Sequence, residues 1–255
     1  MTDCLVIFAA GKSTRFGGFP KAFCRLGQIR NVENTISLAK PHFQEIYLVV
    51  NQETFASGIT DGLDAGIISI VTGQGDAHSI LKALKQIRAK SGADTVTACW
   101  GDAVFLSDEP FTEQEAGVSL WAPDSPVLVG CSEDIHPYAW FDVDGRKITF
   151  SHFQKREPKL RESGLHDQSV FVFKTELLIQ YLERFKRHLG LDQYDEDSYD
   201  AARGEMGLLD AFSWFHDRPD MAEAEYCELT ANRVLSFNTP EELALIEDRL
   251  REFRR

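Results

Sequence analysis

The chain has 255 residues, 43% hydrophobic and 26% charged, enough to bury a full core in one large or two small domains. Its 40 acidic and 27 basic residues give a net charge of −13, which argues against bulk electrostatic binding to nucleic acid or an anionic membrane surface. No apolar stretch approaches the roughly 20 residues a membrane span needs, and Asp3 interrupts any leader, so a cytoplasmic location is expected.

In chain order, a short apolar run over 4–9 predicts a buried strand that stops at Ala9-Ala10-Gly11, small residues that let a ligand approach the backbone. Lys12, Arg15 and Lys21 follow in a segment too rich in Gly and Pro for a regular helix. Backbone N–H groups and side-chain cations in such a loop can hold a polyphosphate; a solvated basic loop after a core strand is the plain alternative. Neither GxxxxGK[ST] nor GxGxxG is present, which weakens the familiar phosphate-loop and dinucleotide readings.

Further strands are predicted at 45–50, 67–71 and 94–99, with helices at 31–41 and 77–90 between them. Alternation of unbroken apolar strands with helices implies a parallel sheet covered on both faces. Ligands then bind beyond the carboxyl ends of the strands, where Gly11 and Asp102 both fall. The pattern next turns to β segments at 117–122, 127–131, 138–143 and 146–152, with a hairpin turn at Asp144-Gly145. Strands at 169–174 and 234–237 and helices at 175–188, 205–217 and 240–253 complete the chain. Thr239, Pro240 and Glu242 form a helix-start signal, and Leu243, Ile246, Leu250 and Phe253 an apolar stripe.

Residues 189–204 read as an acidic mobile loop, a lid or a partner contact. No repeat or linker divides the chain, so one domain is expected: a nucleotide-binding half to about 115, an acceptor half over 116–238, and a terminal helix over 239–255. Cys4, Cys24, Cys99, Cys131 and Cys227 are widely spaced and lack CxxC, which predicts buried free thiols rather than disulfides or zinc. The seven histidines form no HxxxH or HExxH.

Three segments resemble the NTP-transferase family of sugar-phosphate and related nucleotidyltransferases. FAAGKSTRFGGFPKAF is similar to its first-loop pattern LAAGxGxRxxxxxPK, Trp100-Gly101-Asp102 to its metal-binding aspartate after a central strand, and SFNTPEELALIEDRL to its terminal strand-to-helix segment. The resemblance implies a Rossmann-like α/β fold, a mostly parallel mixed sheet flanked by helices. It implies attack by an acceptor phosphate on the α-phosphorus of a nucleoside triphosphate, with pyrophosphate leaving. Lys12 and Arg15 would hold the β,γ-phosphates, Lys21 would neutralise the α-phosphate, and Asp102 and Asn238 would hold magnesium (Mg2+).

Residues 71–84, VTGQGDAHSILKAL, resemble the base-reading segment GGxxRxxSVxxAL of isoprenoid-pathway cytidylyltransferases. That resemblance places Gly73 and Ser79 on the base, bordered by Ala9 and Ala10, and favours CTP. Gln74-Gly75-Asp76 also resembles a variant of the QxxGT pattern that reads uracil or thymine, so UTP stays open. On the acceptor side, Lys155 would bind the acceptor phosphate, while Phe153 or Gln154 replaces the expected glutamate and Asp167-Gln168 the expected Asn-Gly. Ser236 stands where the isoprenoid enzymes carry a lysine. These departures admit a phosphorylated amino alcohol, polyol or amino acid beside a sugar phosphate, with Glu205 and Asp210 as further contacts.

Relatives are often dimers, so a homodimer is compatible; neither nucleic acid nor a membrane is an expected partner. Two rivals are a nucleotide-sugar-dependent glycosyltransferase and a non-catalytic nucleotide-binding module. The first usually carries DxD, whereas Gly101-Asp102-Ala103-Val104 offers one acid.

Overall fold

The computed structural model describes residues 4–11, 13, 16–71, 75–135, 137–156, 161–193, 205–231, 233–237 and 239–253, with the backbone alone for Lys155 and Gln193. Strand β1 (Cys4–Phe8) is buried along its whole length, as its unbroken CLVIF run requires. It pairs in parallel with β4 (Glu45–Asn51) and β6 (Thr95–Trp100), and β4 pairs with β5 (Gly66–Ile70). Phe8 lies opposite both Val49 and Trp100, so the carboxyl ends of three strands come level at one edge.

The second half of the sheet mixes directions. β11 (Ser163–Lys174) runs antiparallel to β6 and β8 (Val127–Ile135), and β8 runs parallel to β12 (Glu225–Glu228). The hairpin of β9 (Ala139–Asp144) and β10 (Lys147–Phe153) closes the edge. The full order is β5-β4-β1-β6-β11-β8-β12-β10-β9. Smaller two-stranded sheets pair β2 (Arg25–Leu26) with β3 (Ile29–Arg30), and β7 (Ala103–Phe105) with β13 (Val234–Ser236).

Helices cover both faces. One layer holds α3 (Asp76–Ser91), α5 (Thr175–His188) and α6 (Leu208–His216); the other holds α1 (Asn31–Ala39) and α4 (Glu109–Val118). α5 buries Leu178, Tyr181, Leu182 and Phe185, and α6 buries Leu208, Ala211, Phe212 and Phe215, both at i, i+3, i+4 and i+7. Each fully buried phenylalanine contributes about 1.5–3 kcal/mol. α7 (Pro240–Phe253) begins at the predicted capping box, with Thr239 and Glu242 exchanging backbone-to-side-chain bonds of 3.2 Å. Its Ile246 and Leu250 pack with Val104 and Phe237. The five cysteines are free, and four are buried.

Several expectations need correction. Residues 117–122 are not a strand: α4 runs to Val118, and the amides of Leu120 and Trp121 bond to the carbonyls of Gly117 and Val118, a turn that satisfies donors locally. The apolar character there belongs to Trp121, buried with the Lys174 ammonium 4.3 Å from its ring. The hairpin turn sits one residue on, because Asp144 pairs with Lys147 and leaves Gly145-Arg146 between them. β11 starts six residues earlier than predicted, since Ser163–Asp167 pair with β8 beyond a bulge. α6 starts at Leu208 rather than 205; the Leu208 amide donates to Asp76 Oδ1 at 2.8 Å, which sets the helix start. Glu205 therefore precedes the helix. Of the 189–204 loop, the structure describes residues to 193, with a 3-10 turn at Leu191–Gln193.

Candidate active site

The site begins where β1 ends. The Ala9 amide bonds to Val49 O at 2.8 Å and Asn51 Nδ2 to Ala10 O at 3.3 Å, so both buried alanines are held against the β4 edge. Gly11 is exposed beyond them. Ser13 takes φ +47°, the left-handed conformation, at the position of the second glycine in the loop pattern. Its carbonyl accepts from Phe16 N at 2.8 Å and Gly18 N at 3.2 Å, and its hydroxyl from Lys21 N at 3.2 Å. The loop thus curls back on the start of Lys21. Lys12 and Arg15 lie outside the described residues.

Lys21 opens a 3-10 turn, Lys21–Phe23, and reaches the sheet edge. Its ammonium lies 2.5 Å from Asp102 Oδ2 and 3.1 Å from Phe237 O. Residues 81 and 216 positions apart in the chain meet here. The Cys24 thiol nearby is raised by burial, with Lys21 pulling the other way, which leaves it protonated and inert.

Asp102 is placed by two constraints. Gly101 N donates to Phe8 O at 2.8 Å, and a Cβ on Gly101 would meet Ala9 Cβ at 2.9 Å, with Ala22 Cβ and Phe8 O at 3.0 Å; only glycine fits. From the other side, fully buried Asn31 at the start of α1 donates Nδ2 to Gly101 O at 3.0 Å and Ala103 O at 2.9 Å, clamping both ends of the aspartate turn. Asn31→Ala leaves two carbonyls without that donor, and we expect a loss of about 1–3 kcal/mol in stability. A fall in kcat larger than in 1/KM should accompany it, read by denaturation and steady-state kinetics.

Asp102 brings one carboxylate. Among the described residues no group of three or more His, Cys, Asp or Glu gathers to hold a metal. The Asp102 carboxylate is an oxygen donor of the kind a magnesium ion takes alongside substrate phosphates and waters. Asn238 lies outside the described residues, one position past Phe237.

Of the residues expected at the base, Ser79 lies at the amino end of α3. A Cβ on Gly75 (φ +97°) would lie 2.4 Å from Met206 O, so two backbones touch there. Asp76 Oδ1 accepts from Ala77 N at 2.7 Å and from Leu208 N, joining α3 to α6. Desolvation raises the Asp76 carboxyl to about 6 against the pull of those amides, and Asp210 adds to the rise. Ser79 Oγ donates to Gly75 O at 3.2 Å. Gly73 lies outside the described residues.

A cavity of about 320 Å³ opens between the end of β8, the β11 bulge, β13 and α7. Asp167, Gln168 and Ser236 line it. The other expected acceptor residues are elsewhere. Asp210 is bound through both oxygens to Arg156, at 2.5 and 3.2 Å, beside α3. Glu205 is exposed ahead of α6. Gln154 and Lys155 lie in a 3-10 turn where the Gln154 amide bonds to Tyr138 O at 2.9 Å. The description of Lys155 stops at its backbone.

A half-parallel sheet whose carboxyl edge joins a small-residue turn to a lysine–aspartate pair defines an α/β protein of the nucleotidyltransferase fold. Residues 5–142 match the model of the MobA-like NTP transferase domain, and the chain belongs to that family. Solved structures agree on the fold. An inositol-1-phosphate CTP transferase from T. maritima is 14% identical with a TM-score of 0.67, over 100% of this chain and 97% of that one. HddC from Yersinia pseudotuberculosis is 15% identical with a TM-score of 0.66, over 98% and 99%. A CTP:phosphocholine cytidylyltransferase from Streptococcus pneumoniae is 13% identical with a TM-score of 0.64, over 98% and 100%. No curated protein sequence matches the chain significantly. Among the described residues no helix is long and apolar enough to cross a membrane.

Proposed function

We propose that the protein transfers a nucleoside monophosphate, CMP from CTP first, to a small phosphomonoester, releasing pyrophosphate. The contact that carries this reading is Lys21 Nζ on Asp102 Oδ2 at the carboxyl edge of β1 and β6. An acceptor phosphate oxygen forms a bond to the α-phosphorus as the bond to the β-phosphate oxygen breaks, and the electron pair leaves with pyrophosphate. Negative charge shifts to the leaving group, so fixed positive charge and alignment do most of the work. In this reading Lys21 would neutralise the α-phosphate, and Lys12 and Arg15 would hold the β,γ-phosphates. Asp102 and Asn238 would hold magnesium, which supplies charge neutralisation of the phosphate oxygens.

Two observations support CTP. Two of the structural neighbours are named for CTP. Ser79 has also committed its hydroxyl proton to Gly75 O, so toward a base at the amino end of α3 its oxygen can only accept. An accepting oxygen suits the amino group of cytosine and opposes the carbonyl of uracil. With saturating acceptor, kcat/KM for CTP should exceed that for UTP by about tenfold, the size of one hydrogen bond made against one refused. Ser79→Ala should narrow the gap. Equal or better use of UTP by the unmodified protein refutes the cytidine assignment and leaves nucleotidyl transfer standing.

A further inference from the structure

The cavity beside the β11 bulge is chemically one-sided. Of its described lining residues, Glu133, Asp134, Asp167 and Glu242 are acids, and Arg249 is the one Lys or Arg. Asp167 is only 8% exposed, and among the described residues one of its two carboxylate oxygens has a hydrogen-bond partner. Oδ1 accepts from Ser169 N at 3.1 Å; among the described residues Oδ2 faces His166 Nδ1 at 3.9 Å, a ring nitrogen already 2.8 Å from Ala139 O. Gln168, also 8% exposed, has no hydrogen-bond partner among the described residues. Gln168 lines the same cavity as Asp167. The backbone here is bent to present them: the β11 bulge falls between Asp167 and Val170, and Ser169 takes φ +59°. Strain of this kind costs about 1–3 kcal/mol and gathers at sites that bind.

Location ties the cavity to the transfer site. Val170 pairs with Cys99, so the antiparallel chain before it runs past the end of β6 toward Gly101 and Asp102. Ser236 lines the cavity, and the next residue, Phe237, bonds to Lys21.

We propose that this cavity takes the acceptor, and that the acceptor is a small phosphomonoester bearing a primary ammonium group, received by Asp167 and Gln168 with Glu133 at the rim. A carboxylate held out of water with an open oxygen calls for a cationic donor. A quaternary ammonium is disfavoured, because it has no N–H to give and is held by aromatic faces. No Phe, Tyr or Trp is among the described lining residues. A volume of about 320 Å³ sits at the small end of ligand sites.

This inference rests on the transfer reading, so the test separates the two. Pyrophosphate release with CTP and magnesium is measured for 2-aminoethyl phosphate, its N-trimethyl analogue and glycerol phosphate. The same acceptors are titrated calorimetrically without nucleotide. We expect kcat/KM for 2-aminoethyl phosphate to exceed the other two by about 10- to 100-fold, the range of a charged hydrogen bond. Asp167→Asn keeps the Oδ1 acceptor for Ser169 and should erase most of that gap. Glu133→Gln, on the exposed end of β8, should reduce it without disturbing the fold. Equal use of glycerol phosphate or the trimethyl compound, or a gap unchanged in both variants, overturns the inference. If no acceptor supports release with any nucleotide, the transfer reading fails. Binding then decides: selective, Asp167-dependent binding of 2-aminoethyl phosphate upholds the ammonium site, and its absence overturns it.

Discussion

Asp102→Asn is expected to lower kcat by about 100- to 1,000-fold, the usual effect of removing one preorganised electrostatic group from a reacting centre. The substitution keeps the shape of the side chain and leaves the clamp of Asn31 on Gly101 and Ala103 intact. What it removes is the negative charge that holds Lys21 in the unliganded protein and that would anchor the divalent ion. Nucleotide affinity should change less than kcat, because Lys12 and Arg15 are the groups assigned to the β,γ-phosphates. Steady-state kinetics with a magnesium titration gives both quantities. A variant retaining more than about a tenth of the activity would remove Asp102 from the machinery.

Gly75→Ala should produce the largest loss of stability of any single methyl added to the sheet edge. The new Cβ would sit 2.4 Å from Met206 O and 2.7 Å from Met206 N, both backbone atoms that no rotamer change can move. Backbone strain at φ +97° and ψ 174°, a region essentially reserved for glycine, adds about 1–2 kcal/mol. Together with an overpacking cost of about 1–3 kcal/mol, roughly 3 kcal/mol is expected. At about 2–4 °C per kcal/mol for a chain of this size, Tm should fall by roughly 6–12 °C. Gly62→Ala is the control: it has φ +78° and nothing within 4 Å of the added Cβ, so strain alone acts. Similar losses for both variants would mean that the Gly75–Met206 contact does not hold α3 to α6.

The strands of the parallel half were legible because burial on both faces writes an unbroken apolar run, as in β1 and β6. α7 was legible through its capping box and the apolar stripe that carries Ile246 and Leu250. At 117–122 the same logic misled: Leu120 and Trp121 look strand-like, but the backbone closes a turn there after α4. The meeting of Lys21 and Asp102 could be expected only from a loop pattern, since nothing in composition or periodicity relates positions 81 residues apart. Asn31 gave no signal at all. An asparagine at a helix start reads as a cap, whereas its amide serves carbonyls 70 and 72 residues away. The bond from the Lys21 amide to the Ser13 hydroxyl was not legible in the sequence. The open oxygen of Asp167 likewise depends on how β11 bulges, and the order of residues does not disclose a bulge.

The central claim is that the Lys21–Asp102 pair marks a centre for in-line nucleotidyl transfer. Phosphorus-31 NMR of the full chain with CTP, magnesium and 2-aminoethyl phosphate tests it most directly. The account predicts loss of the phosphomonoester signal, equal growth of free pyrophosphate and of an unsymmetrical diphosphate diester, and suppression of all three in Asp102→Asn. Release of inorganic phosphate in place of pyrophosphate, or no diester with any phosphomonoester and any of the four nucleotides, would contradict it.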